Sequence, residues 1–331
     1  MKLSQLGEFR FIERIRRAVS PSEGIVLGIG DDCAATTLAP GELLLTTTDL
    51  LIEEIHFRRR WSDMKLLGRK SVAVNVSDIA AMGGAPRHLY LALGVPSETT
   101  VEDLDAFMSG FLEAAGEYGA ALAGGDTCRS PGALTISVTA QGSVPEGELV
   151  RRVGAREGDA IYVSGTLGDS ALALRILSGG GTPDPFLARR HHDPAARTTL
   201  GRALASSGIP SAMIDLSDGL AADLGHILSA SAAGARIDEK ALPLSDSFRR
   251  ALEENPDLIE LALSGGEDYE LLFTVPPGRS PALASLTKSL PLPLTRVGVV
   301  TSADEGFLVI DSRGLPYRPR KTGFNHFSPG D

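Results

Sequence analysis

Cysteine is almost missing from this chain. There are two in 331 residues, Cys33 and Cys128. Two thiols cannot form the disulfide framework of a small secreted domain, so the fold must rest on an apolar core. Each cysteine reads first as a small buried hydrophobe. Aromatic residues are also scarce, at 5% with a single Trp, too few for a base-stacking platform. Basic charge is short: 32 Lys and Arg stand against 42 Asp and Glu, a net charge of −10. Nucleic acid, which attracts clustered cations, is excluded as a default partner. No apolar run reaches about 18 residues, so no membrane-spanning helix is expected. The segment MKLSQLGEFRFIERIRR holds no apolar stretch of the signal-peptide kind. The expectation is a soluble cytoplasmic protein.

The common phosphate-binding loops are missing too. GRKS at 68–71 has Arg where a P-loop needs Lys and lacks the upstream Gly. GIGDDC at 28–33 starts as a dinucleotide fingerprint but carries Cys33 at the third Gly position. Glycine and proline are plentiful instead, 37 and 20, which implies many tight turns and close backbone approaches.

A chain of this length suggests two domains. Residues 4–18 pattern as an amphipathic helix with Phe9, Ile12 and Ile15 on one side. Strands are expected at GIVLGIG, ELLLTTTDL, 88–95 and ALTISVTAQGSV, with helices over 63–82 and 101–118. The polar, turn-rich stretch at 144–159 marks a boundary, giving domains 1–147 and 148–331. Beyond it the pattern resumes: strand AIYVSG, helix DSALALRIL, strand SAMIDLS, helix GLAADLGHILSAS, strand DYELLFTV.

Acids cluster at strand ends and beside glycines. They are Asp31 and Asp32 in GIGDD, Asp49 in TTTDL, Asp78 in VNVSDIAAMGG and Asp126 in AGGDT. Asp215 and Asp218 follow in IDLSDG, and Glu267 and Asp268 in SGGED. Any one of them reads as a turn or helix cap. Together, with no His-rich or Cys-rich spacing, they point to oxygen ligands for a hard cation such as Mg²⁺. Ser71, Asn75 and Asp78 fall on one face of an otherwise apolar helix. That stripe needs satisfaction, either by a hydrogen-bonded core network or by a cation. His56 lies closest in sequence to the acids, just after Asp49. His191 and His192 adjoin Arg189 and Arg190 and read as a solvated surface turn. Lys70 and Arg152 are candidate phosphate contacts.

Read together, the stretches LGIGDDCA, TTTDLLIEEIHF, KSVAVNVSDIAAMGGAP, AGGDTCRS, GDAIYVSGTLGDSALAL, AMIDLSDGLAADLGHI, ALSGGEDYELLFTV and GFNHF resemble the thiamine-monophosphate kinases. The wider superfamily includes aminoimidazole ribonucleotide synthetase, selenophosphate synthetase and a hydrogenase maturation protein. The resemblance implies an N-terminal α/β domain that dimerises through its sheet and a C-terminal α+β domain. It implies ATP and several Mg²⁺ ions in a cleft near the dimer interface, with thiamine phosphate as acceptor. Carried over residue by residue, metal positions match Asp32, Thr47, Thr48, Asp49, Asp78, Asp126, Asp215 and Asp218. ATP contacts match Gly125, Asp126, Arg152, Ser217 and Tyr118; acceptor contacts match His56, Glu267 and Phe324. Thr47 stands where Ser also occurs in the family, and both carry the hydroxyl.

The implied reaction makes physical sense of the acids. A phosphate monoester is ionised near neutral pH, its second pKa being about 6, so its oxygen is a ready nucleophile and no general base is assigned. The obstacle is repulsion between two polyanions, which bound Mg²⁺ neutralises. Selenophosphate synthetase would show a reactive Cys before GIGDD, whereas the first Cys here is Cys33. The hydrogenase maturation protein would end in a reactive Cys, whereas this chain ends HFSPGD. A non-catalytic sensor is the rival of another class, and turnover separates it from an enzyme.

Overall fold

The computed structural model describes residues 8–20, 22, 24–27, 29, 35–288, 290, 292–319 and 323. Asp31, Asp32, Cys33, Phe324 and the side chain of Phe9 lie outside the described residues. The chain divides into two compact units. The first holds residues 1–79 and 84–147, the second 80–83 and 148–331.

In the N-terminal unit, α1 (Glu8–Ala18), β1 (Ile25–Leu27) and β2 (Ala35–Thr36) precede β3 (Glu42–Ile52). Then come α2 (Met64–Ala81), β4 (Ala85–Pro96), α3 (Val101–Glu117), β5 (Ala121–Ser130) and β6 (Thr135–Pro145). The sheet order is β3-β6-β4-β5. β6 runs antiparallel to both β3 and β4, while β4 and β5 are parallel. A parallel pair needs a crossover, and α3 supplies it. Thr100 starts α3 by accepting the Asp103 N–H at 3.1 Å.

Alternation along the strands gives this sheet two unlike faces. Leu45, Leu51, Leu89, Leu91, Ile136 and Val138 are buried. The other face keeps Leu44 at 51% and Leu50 at 48% exposure. α2 and α3 cross closely at two glycines. A Cβ on Gly68 would collide with the Phe107 carbonyl, and one on Gly110 with that of Lys65. α1 carries Ile12 and Ile15 to a cavity of about 70 Å³ beside Leu91, Leu93 and Leu122.

The C-terminal unit contains β7 (Ala160–Ser164), α4 (Asp169–Ser178), α5 (Pro185–His192), α6 (Thr198–Ser207), β8 (Ala212–Asp215), α7 (Leu220–Ser231) and β9 (Gly234–Asp238). It continues with α8 (Asp246–Glu254), α9 (Ile259–Ser264), β10 (Leu271–Val275), α10 (Ser280–Thr287), β11 (Leu294–Thr301), β12 (Phe307–Ile310) and β13 (Pro316–Tyr317). Seven strands form one sheet in the order β13-β12-β9-β11-β7-β10-β8. Only the β9–β12 pair is parallel. One face buries Ile161, Val163, Ile214, Leu224, Ile237 and Phe248. The other buries Leu200, Leu204, Met213, Phe273 and Val275, with Tyr162 stacked on Phe273 at 5.7 Å. The α/β and α+β expectation therefore holds for the two units.

One strand is shorter than its sequence pattern. DYELLFTV suggests a strand from residue 268, yet β10 begins at Leu271. Asp268 and Glu270 are buried carboxylates that draw the chain toward internal donors, and Tyr269 adopts φ +51° between them.

Candidate active site

In the N-terminal unit the site is built on β3 and α2. Thr47 and Asp49 point to the same side of β3, the side covered by α2. The Thr47 hydroxyl donates to Asp78 Oδ2 at 2.5 Å. The Asp49 N–H donates to Asn75 Oδ1 at 3.1 Å. The polar stripe of α2 is thus divided. Ser71 donates to Gly68 O at 2.8 Å and Asn75 to Ser71 O at 2.9 Å, so both serve the protein's own backbone. Only Asp78 of the three carries a charge toward β3.

The register places the other candidates elsewhere in this unit. Asp49 lies in line with Val138, Leu91 and Gly125 across the four strands, whereas Asp126 lies in line with Ala92, Ser137 and Leu50. Asp126 therefore faces the open side of the sheet, on the edge strand opposite β3. Three strand spacings separate the two edges, about 14 Å. Thr48 also faces the open side and donates to Val138 O at 3.1 Å. Gly125 has a steric reason: a Cβ there would strike the Leu91 carbonyl and break the β4–β5 pairing that presents Asp126. His56 closes the turn after β3, its Nδ1 accepting the Ile52 N–H at 3.0 Å. That bond leaves the ring proton on Nε2 when the ring is neutral. Tyr118 caps the end of α3. The first half of β5, about 16 Å of strand, separates it from Asp126.

In the C-terminal unit three loops converge at one end of the sheet. They follow β7 (164–169), follow β8 (215–220) and precede β10 (264–270). Glu267 N donates to Ser217 O at 2.8 Å, Tyr269 N to Leu216 O at 2.8 Å, and Leu216 N to Glu270 O at 2.8 Å. Glu267 and Ser217 are therefore neighbours, and Asp215 and Asp218 flank the same loop. Glu267 (φ +68°) and Tyr269 (φ +51°) hold left-handed backbone, which costs roughly 1–3 kcal/mol each and is held here by those bonds. Arg152 lies beside β8 but away from this end: Arg151 O accepts the N–H of Met213 at 3.0 Å, and a Cβ on Gly154 would strike the Ser211 carbonyl, so this stretch runs along β8 away from Asp215. Gly323 also reaches this region, for a Cβ on it would meet Ala222 and the Asp218 carbonyl.

Beneath these loops sits a charged network that sequence reasoning missed. Glu270 is fully buried, and it accepts from Arg197 Nε at 2.6 Å and Ser164 Oγ at 2.6 Å. Arg190 adds an ion pair to Glu270 at 3.1 Å and donates to the carbonyls of Thr166 and Asp268. Asp268 Oδ2 accepts the Gly168 N–H at 2.9 Å. Burial pushes its pKa up to about 8, against the opposing pull of Arg190. Asp223 was missed as well. It accepts the N–H groups of Asp218 and Gly219 at 3.1 and 3.0 Å and so fixes the shape of the metal-candidate loop. Burial first, then the Asp218 charge, raises the Asp223 pKa to about 7. A carboxylate four residues after an SDG turn, on the first turn of a helix, was the available signal.

The reading of His191 and His192 as a solvated turn is wrong. Both end α5, and His191 is buried with its Nδ1 2.9 Å from Ser170 Oγ. The run of charged residues hid the one ring that turns inward. Among the described residues no group of three or more His, Cys, Asp or Glu is gathered to hold a metal ion.

Two family models match in tandem, described as AIR synthase related protein, N-terminal domain, over residues 30–144, and C-terminal domain over residues 156–311. The thiamine-monophosphate kinase of Salmonella typhimurium is 41% identical over 328 residues, covering 97% of this chain and 98% of that protein. This chain belongs to the thiamine-monophosphate kinase family. Among solved structures, the kinase from Stenotrophomonas maltophilia aligns with a TM-score of 0.82 at 42% identity, covering 93% of this chain and 97% of that one. AaThiL, complexed with AMPPCP and TMP, aligns with a TM-score of 0.76 at 34% identity over 99% of both chains.

Proposed function

We propose that this chain transfers the γ-phosphoryl group of ATP to thiamine phosphate, giving ADP and thiamine diphosphate in thiamine diphosphate biosynthesis. The observation that carries the reading is the full-length likeness to thiamine-monophosphate kinases, including one held with an ATP analogue and TMP. The nucleophile is the acceptor's own phosphate oxygen, ionised near neutral pH, so no protein base is needed.

The donor set fits Mg²⁺. Every candidate is an oxygen, and the Thr47 hydroxyl and Asp78 carboxylate already converge. Mg²⁺ keeps waters and takes substrate phosphates as ligands, so one or two carboxylates per ion suffice. Thr47, Asp49 and Asp78 would serve from the helix side of the N-terminal sheet, Thr48 and Asp126 from its open side. Asp215 and Asp218 would serve from the C-terminal loops, with Asp32 completing the set. An ion held there would supply positive charge to offset the phosphates. Gly125, Asp126, Arg152, Ser217 and Tyr118 are assigned to ATP. His56, Glu267 and Phe324 are assigned to the acceptor. Support for Phe324 comes from Gly323, which lies against Asp218 and Ala222.

A second copy of the chain is the natural cover for the open sheet face, where Leu44 and Leu50 stand half-exposed among threonines. No helix among the described residues is long and apolar enough to cross a membrane, and we place the enzyme in the cytoplasm. Phosphorus NMR of the protein with ATP, Mg²⁺ and thiamine phosphate tests the function. A new diphosphate signal matched by ADP is expected. ATP hydrolysed to free phosphate, with thiamine phosphate unchanged, would contradict it.

A further inference from the structure

His191 is a buried imidazole with no part in the function proposed above. It ends α5, which packs along α4, and its side chain is 6% exposed. Its Nδ1 lies 2.9 Å from Ser170 Oγ on α4 and 3.4 Å from Glu267 Oε2 in the loop before β10. The His192 ring meets it edge-on at 4.9 Å. The same loop rests on the first turn of α4, for a Cβ on Gly265 would strike Ala171.

Ser, His and Glu together suggest a hydrolase triad, but the geometry rejects one. Both oxygens meet the same ring nitrogen, whereas a triad uses the two nitrogens separately. Ser170 is also fully buried, out of reach of any substrate. What remains is a clamp. The Glu267 side chain is 26% exposed, and its backbone is held at φ +68°. Left-handed backbone fixes where the Cα–Cβ bond starts, but the carboxylate still has three rotatable bonds. With its proton on Nδ1, the ring presents one N–H between two acceptors: Ser170 Oγ at 2.9 Å holds the ring in place, and the Glu267 carboxylate at 3.4 Å is drawn toward the same N–H, which fixes its far end.

We propose that His191, braced by Ser170, is a positioning residue that aims the Glu267 carboxylate at the acceptor. This rests on the assignment of Glu267 to the acceptor. The ring touches no substrate. It acts by holding Glu267 in the binding geometry before the acceptor arrives, which lowers the ordering cost of binding.

The test is steady-state kinetics of Glu267→Gln, His191→Phe, His191→Asn and Ser170→Ala, varying thiamine phosphate and ATP separately. His191→Phe keeps a ring but removes the nitrogen. It should raise KM for thiamine phosphate about tenfold, the scale of losing one close donor beside a carboxylate, with KM for ATP within twofold. His191→Asn places an amide nitrogen near the Nδ1 position and should stay within threefold of the parent. Ser170→Ala is a small change on a helix, so it folds if His191→Phe does not. It should raise KM for thiamine phosphate about threefold. If Glu267→Gln leaves that KM unchanged, the acceptor assignment fails and the clamp with it. If Glu267→Gln raises it but His191→Phe and Ser170→Ala do not, the clamp alone is wrong. Equal rises in both KM values, or His191→Asn behaving like His191→Phe, would also overturn the clamp.

Discussion

The candidate acids that the structure describes in the N-terminal unit sit on regular structure, whereas in the C-terminal unit Asp218 and Glu267 sit in loops and Asp215 stands at the very end of a strand. Thr47, Asp49 and Asp78 are placed by strand register and by a helix face, so their geometry follows from hydrogen bonding every sheet and helix already makes. Asp215 closes β8, while Asp218 and Glu267 are placed by two loops, and loops lack that repeat. There the chain substitutes left-handed residues, glycines packed against carbonyls, and a buried network of Arg190, Arg197, Glu270 and Asp268. Rigidity comes from the sheet in one unit and from buried charge in the other. We assign most of the metal and ATP positions to the first, with Asp215, Asp218, Arg152 and Ser217 contributed by the second, and acceptor recognition largely to the second.

The largest expected effect lies in the buried network. Glu270→Gln removes the charge that two arginines share inside the protein. Leaving them uncompensated should cost about 3–5 kcal/mol of stability, read by urea denaturation. A loss under 1 kcal/mol would mean that the loops do not depend on the network. Next comes Asp78→Asn, which keeps shape and removes one charge facing Thr47. Turnover should fall at least about 100-fold, roughly 3 kcal/mol in the barrier, with the melting temperature preserved. Near-normal turnover with unchanged Mg²⁺ dependence would make Asp78 part of the core network instead.

The smallest effect is in pH dependence. Asp268 is raised to about 8, chiefly by burial. Between about pH 4 and pH 8 the unfolded chain ionises this group while the fold holds it protonated. Its contribution to stability therefore falls as pH rises through that window. Asp268→Asn does not titrate. Its melting temperature relative to the parent should rise by about 2 °C or more from pH 5 to pH 8. A constant difference would show that Asp268 is ionised in the fold.

The two units also differ in how much the sequence discloses. The strand at ELLLTTTDL and the helix over 63–82 follow from local pattern, and the candidates on β3 and α2 come with them. That Asp126 faces away from Asp49 does not, because it depends on pairing across four strands. In the C-terminal unit the motifs SDG and SGGED flag the loops but not their support. Glu270 lies 73 residues from Arg197 and 106 from Ser164. No local window contains such partners, so DYELLFTV reads as continuous strand and the RRHH run as surface. Burial of charge is decided by tertiary contact, and periodicity does not encode it.

The division of labour has one direct measurement: kcat and KM for thiamine phosphate in Asp78→Asn and Glu267→Gln, determined side by side. Asp78→Asn should lose turnover while keeping KM for thiamine phosphate near the parent value, and Glu267→Gln should raise that KM with the smaller loss of turnover. If both variants lose kcat and gain KM in the same proportion, the two units do not divide the work in this way.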